Sequence, residues 1–390
     1  MKRIIYILLL AVTMQPAFSQ VAFQTVLDSV AANNKTLTAS RQYYDVQKID
    51  SKTGIYLANP SVSCDRLNNP SGSYTEFVIS QSFDFPTAYF HKSKIANLSV
   101  LQADERFRQS KLDVLTSTAQ VYAELVSQNR IIAILEKREQ MANQLQTSIE
   151  KKLQLGDANV FEVNRVRSEL AKVQSEKNIA QSRQKSLLLK LAELNGDIGL
   201  VVNDTIFPDL AGMNVSDPMM NELVIRNPQL KQWETQKVIA QQNIDLQKSL
   251  SLPKFEVGYR QDANTGQSFK GFHAGITIPL FENKNTVRSA KARQVYTAEA
   301  TDAYKLSLQN SLEQLYSEFQ AVQQSVFGLN KVYKTLNTPV LLVKAYNSGQ
   351  INYTTFFAEY DNYRQTALYI EDLNSKATSL QLQIYVLSNY

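Results

Sequence analysis

Residues 269–281 read Phe-Lys-Gly-Phe-His-Ala-Gly-Ile-Thr-Ile-Pro-Leu-Phe, and their period decides the fold. Phe272, Ala274, Ile276 and Ile278 alternate with Gly271, His273, Gly275 and Thr277, the period of two of a strand with one apolar and one polar face. Working backwards, Phe255, Val257 and Tyr259 alternate with Lys254, Glu256 and Gly258, and the turn-forming stretch 262–266 separates the two runs. A β-hairpin is therefore expected, with strands at about 254–261 and 269–278.

The hairpin recurs once. Leu37 matches Leu230, Pro60 matches Pro253, Pro86 matches Pro279 and Gly156 matches Gly349, and every pair is 193 residues apart. Such a constant offset marks an internal duplication. Repeat one is expected over 20–197 and repeat two over 214–390, joined by a linker at 198–213 that carries Gly199, Pro208 and Gly212. In repeat one Phe77, Ile79, Phe83 and Phe85 oppose Glu76, Ser80, Ser82 and Asp84, so strands are expected at about 61–67 and 74–85. The strand from Ser61 is the weakest, because Cys64 and Arg66 share the face of Val62.

Beyond each hairpin the chain turns helical. No Gly or Pro interrupts residues 87–154, a run of roughly 100 Å at 1.5 Å per residue. Leu112, Leu115, Ala119, Tyr122, Val126, Ile131, Ile134 and Leu135 recur at three-to-four spacing, a narrow apolar stripe that calls for partner helices in a coiled coil. Gly156 and Gly349 would permit a tight reversal between two long antiparallel helices. The class is thus mainly α with a small β part.

The start of the chain reads as an export signal at 1–19. Lys2 and Arg3 precede the apolar run Ile4–Val12, and Ala17-Phe18-Ser19 offers small residues for cleavage before Gln20. A membrane anchor would need about 20 apolar residues. Removal of Lys2 and Arg3 takes the formal charge from +5 to about +3, with no basic block suited to nucleic acid. One cysteine and two histidines, His91 and His273, leave no disulfide, Cys-rich zinc site or metal centre to build, and no cofactor is expected. Glu136 with Glu139, and Asp45 with Asp50, are helix-face carboxylates without a histidine, so no catalytic residue is named.

Alternation of this kind suits a hairpin lying on a soluble core, and it also suits transmembrane β strands. Recurrence after an export signal favours the second. Four strands cannot enclose a passage, and open edges are not tolerated in hydrocarbon, so spanning strands demand closure between copies. Three copies would supply twelve strands.

The order signal, helix, hairpin, long helical hairpin, linker and the same again resembles the TolC family of outer-membrane efflux proteins. The motifs that carry the resemblance are the helix-hairpin tips, Leu153-Gln154-Leu155-Gly156-Asp157 and Tyr346-Asn347-Ser348-Gly349-Gln350. With them goes the strand end Ile276-Thr277-Ile278-Pro279-Leu280-Phe281, of which Phe83-Asp84-Phe85-Pro86 is the looser first copy. The resemblance implies a homotrimer: a twelve-stranded barrel in outer-membrane lipid, continued by a helical tunnel through the periplasm of a Gram-negative cell. Such a duct does no chemistry. It conducts what an inner-membrane transporter and a periplasmic adaptor deliver, in an efflux pump or a type I secretion system. The resemblance places adaptor contact at Leu155, Gly156, Asp157, Tyr346, Gly349 and Gln350. Family members often narrow the tunnel with Asp six and nine residues past the second tip glycine; here Thr355 and Ala358 stand there. Glu162, Tyr353, Thr355 and Glu359 are the aperture candidates; a solvated helix face is an equal reading for the two glutamates, and packing between helices is the better one for Tyr353. Glu76, Asp84 and His273 are candidates for the barrel lumen. The alternative is a periplasmic adaptor with a long α-hairpin, which should contain many more short strands than two hairpins supply.

Overall fold

The computed structural model describes residues 15–70, 72–208, 217–264, 266–333, 335 and 338–390. The export signal up to residue 14 and the second part of the linker with the first residues of repeat two lie outside them. The elements run α1 (Gln15–Asn33), α2 (Lys35–Asp50), β1 (Ser61–Asn69), β2 (Gly72–Phe83), α3 (Pro86–Gln154), α4 (Val160–Leu194), then α5 (Asp217–Arg226), α6 (Pro228–Leu250), β3 (Lys254–Asn264), β4 (Gln267–Thr277), α7 (Thr286–Tyr333), α8 (Thr338–Asn347) and α9 (Tyr353–Asn389).

The 193-residue offset reappears in the helix caps. Asn34 accepts from Leu37 N at 2.9 Å, and Asn227, 193 positions on, accepts from Leu230 N at 2.8 Å. Asn159 accepts from Glu162 N at 3.0 Å, and its counterpart Asn352 accepts from Thr355 N at 2.8 Å. Each asparagine oxygen satisfies an amide that the first turn of its helix would leave orphaned.

Two compact units result, and they do not coincide with the two repeats. One comprises residues 1–38, 110–223 and 310–390; the other comprises 39–109 and 224–309. Each draws on both repeats, because the duplicated elements pack on each other.

In the first unit the core joins α1, α3, α4 and α9. Phe23, Leu27, Leu115, Tyr122, Leu125, Leu191, Leu382 and Val386 are buried in it. The expected stripe on α3 faces this core, with Leu115, Ala119, Tyr122 and Val126 fully buried. Burying one such large side chain contributes about 1.5–3 kcal/mol. Tyr122 still reaches a polar partner, donating to Asp204 at 2.8 Å. Asn129 donates to Val202 O at 3.0 Å and Asp204 O at 2.9 Å, tying the extended segment after α4 to the bundle.

The second unit holds a single antiparallel sheet in the order β1-β2-β3-β4. The strands of the two repeats meet at its centre, where Phe83 pairs with Phe255 and Ile79 with Tyr259. The hairpins are tighter than the sequence suggests. Only residues 70–71 and 265–266 separate the strands, so both ladders run further towards the turn than 67, 74, 261 and 269. Two-residue connections let pairing continue up to the turn itself. At the other end β2 stops at Phe83, not 85, since Pro86 opens α3 and has no N–H to give to a ladder.

Two differences separate repeat two from repeat one. Pro86 is the first residue of α3, whereas Pro279 is not at a helix start; α7 begins seven residues later, at Thr286. Between them Leu280 N bonds Ile278 O at 3.0 Å, and Asn285 takes φ 66. Two helices, α7 and α8, also replace the single α3, because Pro339 can sit in the first turn of a helix and not in its interior.

Candidate functional site

Strand register sorts the sheet into two faces. Residues paired across strands share a face, so Val62, Ile79, Tyr259 and Phe272 line one side together. Phe83, Phe255 and Ile276 form another row of it, and Gln81, Val257 and Ala274 another. Phe272 is 95% exposed, and Val62 and Ile276 are exposed with it. Rings add contacts along this face, Tyr259 edge-on to Phe272 at 6.2 Å and Phe83 to Phe255 at 5.8 Å.

The opposite face is polar over most of its length. It carries Ser61, Ser80 and His273 in one row, with Gly258 between, and Glu256 and Ser82 in the next. Further along, Arg260 bridges Glu76 and Asp262 at 3.1 Å each. Gly258 is required where it stands. A Cβ there would lie 2.6 Å from Ile79 O and 2.9 Å from His273 Nδ1. His273 Nε2 is 3.9 Å from Glu256, and its Nδ1 has no hydrogen-bond partner among the described residues. Of the three lumen candidates, Glu76 and His273 are on this face. Asp84 is not in a strand: it lies between β2 and α3, where Lys92 holds its carboxylate at 3.0 Å.

The helix-hairpin tips are two copies of one construction. At Gly156, φ +82, Asp157 N bonds Lys152 O at 2.8 Å and Gly156 N bonds Leu153 O at 3.1 Å. At Gly349, φ +72, Gln350 N bonds Ala345 O at 2.9 Å and Gly349 N bonds Tyr346 O at 3.1 Å. This is the Schellman arrangement, which needs a left-handed residue at the glycine. Nothing else crowds either glycine within 4 Å. Leu155 is 77% exposed, and Asp157 and Gln350 are exposed. Tyr346 instead packs inwards, its ring 5.4 Å from Phe356 and capped by Lys152 at 4.7 Å. Sequence reasoning passed over Phe161, which is 84% exposed beside the first tip, and its neighbour Val160. Both lie within the first turn of α4, where a lone apolar residue gives no periodic signal.

The aperture candidates separate in the same way. Glu162 is engaged by its own helix: Asn159 N donates to it at 3.2 Å, which with the Asn159 cap makes a capping box. Thr355 is held by Asn352 at 3.0 Å. Tyr353 is buried against Ile149, Val163 and Val166, and that burial raises its phenol above the ordinary tyrosine range. Glu359 is exposed with no partner among the described residues.

A family model described as outer membrane efflux protein matches residues 219–337, the span that includes α6, both strands of the second hairpin and the whole of α7. The second repeat is thus similar to outer-membrane efflux proteins over that span. Solved structures agree in fold over 94% of the chain. The outer-membrane channel OprN matches with TM-score 0.80 at 12% identity over 90% of its length. CusC, whose structures concern folding and transmembrane channel formation, matches with TM-score 0.78 at 17% identity over 91%. The outer membrane protein VceC of Vibrio cholerae matches with TM-score 0.76 at 15% identity over 96%. A search of curated protein sequences finds no match. No helix among the described residues is long and apolar enough to cross a membrane.

Proposed function

We propose that this protein is an outer-membrane efflux protein of the TolC family, the duct of a tripartite assembly. Three chains would close their four-stranded sheets into one twelve-stranded barrel. It would receive substrate from an inner-membrane transporter through a periplasmic adaptor and conduct it passively outwards. The observation that carries this reading is the sheet itself. Its apolar face is exposed along four strands, its other face is mostly polar, and among the described residues β1 and β4 have no neighbour on their outer edges. Bare ladder groups cost several kcal/mol each in hydrocarbon, so such a sheet is stable in lipid only when another copy pairs with its edges. The apolar face then meets lipid and the row Glu76, Arg260, Glu256, His273 lines the passage.

Adaptor contact is assigned to the tips, where Leu155, Val160 and Phe161 present apolar surface and the Schellman turns fix its position. Glu359 is the free carboxylate left to face the tunnel mouth. Heat-modified electrophoresis of outer-membrane fractions tests the reading. The expected result is a trimer band that resists mild detergent and collapses to 44.1 kDa or slightly less on boiling. A protein that partitions into the periplasmic fraction as a monomer would overturn it.

A further inference from the structure

In the second unit a cavity of about 480 Å³ lies between α6 and the start of α7. Gln236, Asn243 and Gln247 line it from α6, seven and four residues apart and so on one face of that helix. Lys284 lines it from the segment before α7, and Ser289 and Arg293 from α7 itself. The volume falls within the range of small-molecule sites, roughly 300–1,000 Å³.

The wall carries charge of one sign. No Asp or Glu lines it. The acids close by in sequence are already engaged, Asp245 by Lys248 at 3.1 Å and Glu282 by Lys254 at 2.9 Å. The side chains of Asn243, Gln247, Lys284 and Arg293 have no partner among the described residues. A negatively charged group with several acceptor oxygens would answer both cations with charge-assisted hydrogen bonds. His91 and Val100 stand 193 positions before Lys284 and Arg293, so this pair of cations occurs once per chain.

The cavity also has a definite place in the fold. Because α6 leads into β3 and α7 follows β4, it lies at the helix end of the sheet. Exposed Ile278, Leu280 and Phe281 come just before Lys284, and a turn ties the two, Lys284 N bonding Phe281 O at 3.3 Å. On the duct reading, on which this inference rests, that end of the sheet is where the barrel leaves the periplasmic leaflet.

We propose that this cavity binds the headgroup of an anionic phospholipid of the periplasmic leaflet. The phosphate meets Lys284 and Arg293, the polar remainder of the headgroup meets the amides of Asn243 and Gln247, and the acyl chains run along Ile278, Leu280 and Phe281. Basic pockets at a membrane surface hold lipid headgroups in this way. A zwitterionic headgroup brings a cation that finds no carboxylate in the wall, and a free phosphate leaves the apolar strip uncovered.

The test is titration of the purified full-length protein in detergent with phosphatidylglycerol, phosphatidylcholine and glycerol 3-phosphate, read by native mass spectrometry. Phosphatidylglycerol is expected to bind once per chain, with the other two at least about tenfold weaker, the worth of one charge-assisted hydrogen bond. Lys284→Gln and Arg293→Gln, both at exposed positions, should each weaken phosphatidylglycerol about fivefold or more and leave phosphatidylcholine unchanged. Arg288→Gln and Lys291→Gln remove the same charge from exposed positions of α7 that do not line the cavity, and should keep the affinity. Equal affinity for the two lipids, glycerol 3-phosphate binding as tightly as the lipid, or equal losses from all four substitutions would each overturn the proposal. The same spectra separate it from the duct reading. A trimer without lipid preference sinks the headgroup site alone, and a monomer that still selects phosphatidylglycerol through Lys284 and Arg293 sinks the duct and keeps the site.

Discussion

Phe272 and His273 are neighbours in β4 that the register puts on opposite faces of the sheet, and substituting arginine at each separates the faces energetically. Phe272 is the sixth of the eleven residues of β4, so it lies at the middle of a strand of membrane-spanning length. It is 95% exposed in the single chain. In a barrel that surface meets lipid. Removing it forfeits about 1.5–3 kcal/mol, and an arginine at the bilayer midplane costs about 2–4 kcal/mol more. Phe272→Arg is therefore expected to cost about 3.5–7 kcal/mol per chain, three times over in a trimer. His273→Arg puts the same charge on the polar face, within reach of Glu256, and should cost less than about 1 kcal/mol. The assay is the yield of heat-modifiable trimer in outer-membrane fractions at matched expression. Phe272→Arg should abolish the band and His273→Arg should keep it. Equal yields, or a worse loss for His273→Arg, would refute the assignment of the faces.

Three further outcomes follow from the helical part, each read by denaturant unfolding in detergent. Gly196→Ala should destabilise more than Gly156→Ala or Gly349→Ala: all three have positive φ, worth about 1–2 kcal/mol, but a Cβ at Gly196 would also lie 2.3 Å from Asn33 O. Asn352→Ala should cost about 1 kcal/mol through its lost cap, and Asn159→Ala somewhat more, since the Glu162 half of the capping box is lost with it. The hydrogen bond from Lys177 holds the Glu139 carboxyl below its usual value of 4.5. A depressed carboxyl stabilises the fold above its unfolded pKa and loses that contribution as pH falls through the folded one. Wild type should thus exceed Glu139→Gln by about 0.5–1 kcal/mol at pH 7, with the difference shrinking as pH falls below 4.5 and gone once the folded carboxyl is protonated.

Both hairpins and the reversals at the tip glycines were legible because each is a local signal. Alternation reports a strand, and a glycine at a helix end reports a reversal. The caps Asn34, Asn159, Asn227 and Asn352 were equally local and carry the same 193-residue offset, yet they escaped notice because single asparagines are common. Pro339 was visible too and marks the break between α7 and α8. Other features had no local signal. The pairing of β2 with β3 joins residues such as Phe83 and Phe255 that are far apart in the chain, so only the folded sheet reveals which strands are its edges. Alternation put Asp84 on the polar face, but Pro86 ended the strand first and Lys92 took the carboxylate. Glu162 read as a free acid until its backbone neighbour Asn159 claimed it. Side-chain roles of this kind depend on which partner arrives, which composition and period do not encode.

The central claim is that three copies close one barrel in the outer membrane. Native mass spectrometry of the protein extracted from purified outer membranes tests it most directly. The account predicts a detergent-stable trimer of chains that begin near Gln20. A monomer or a dimer from the same membranes would contradict it.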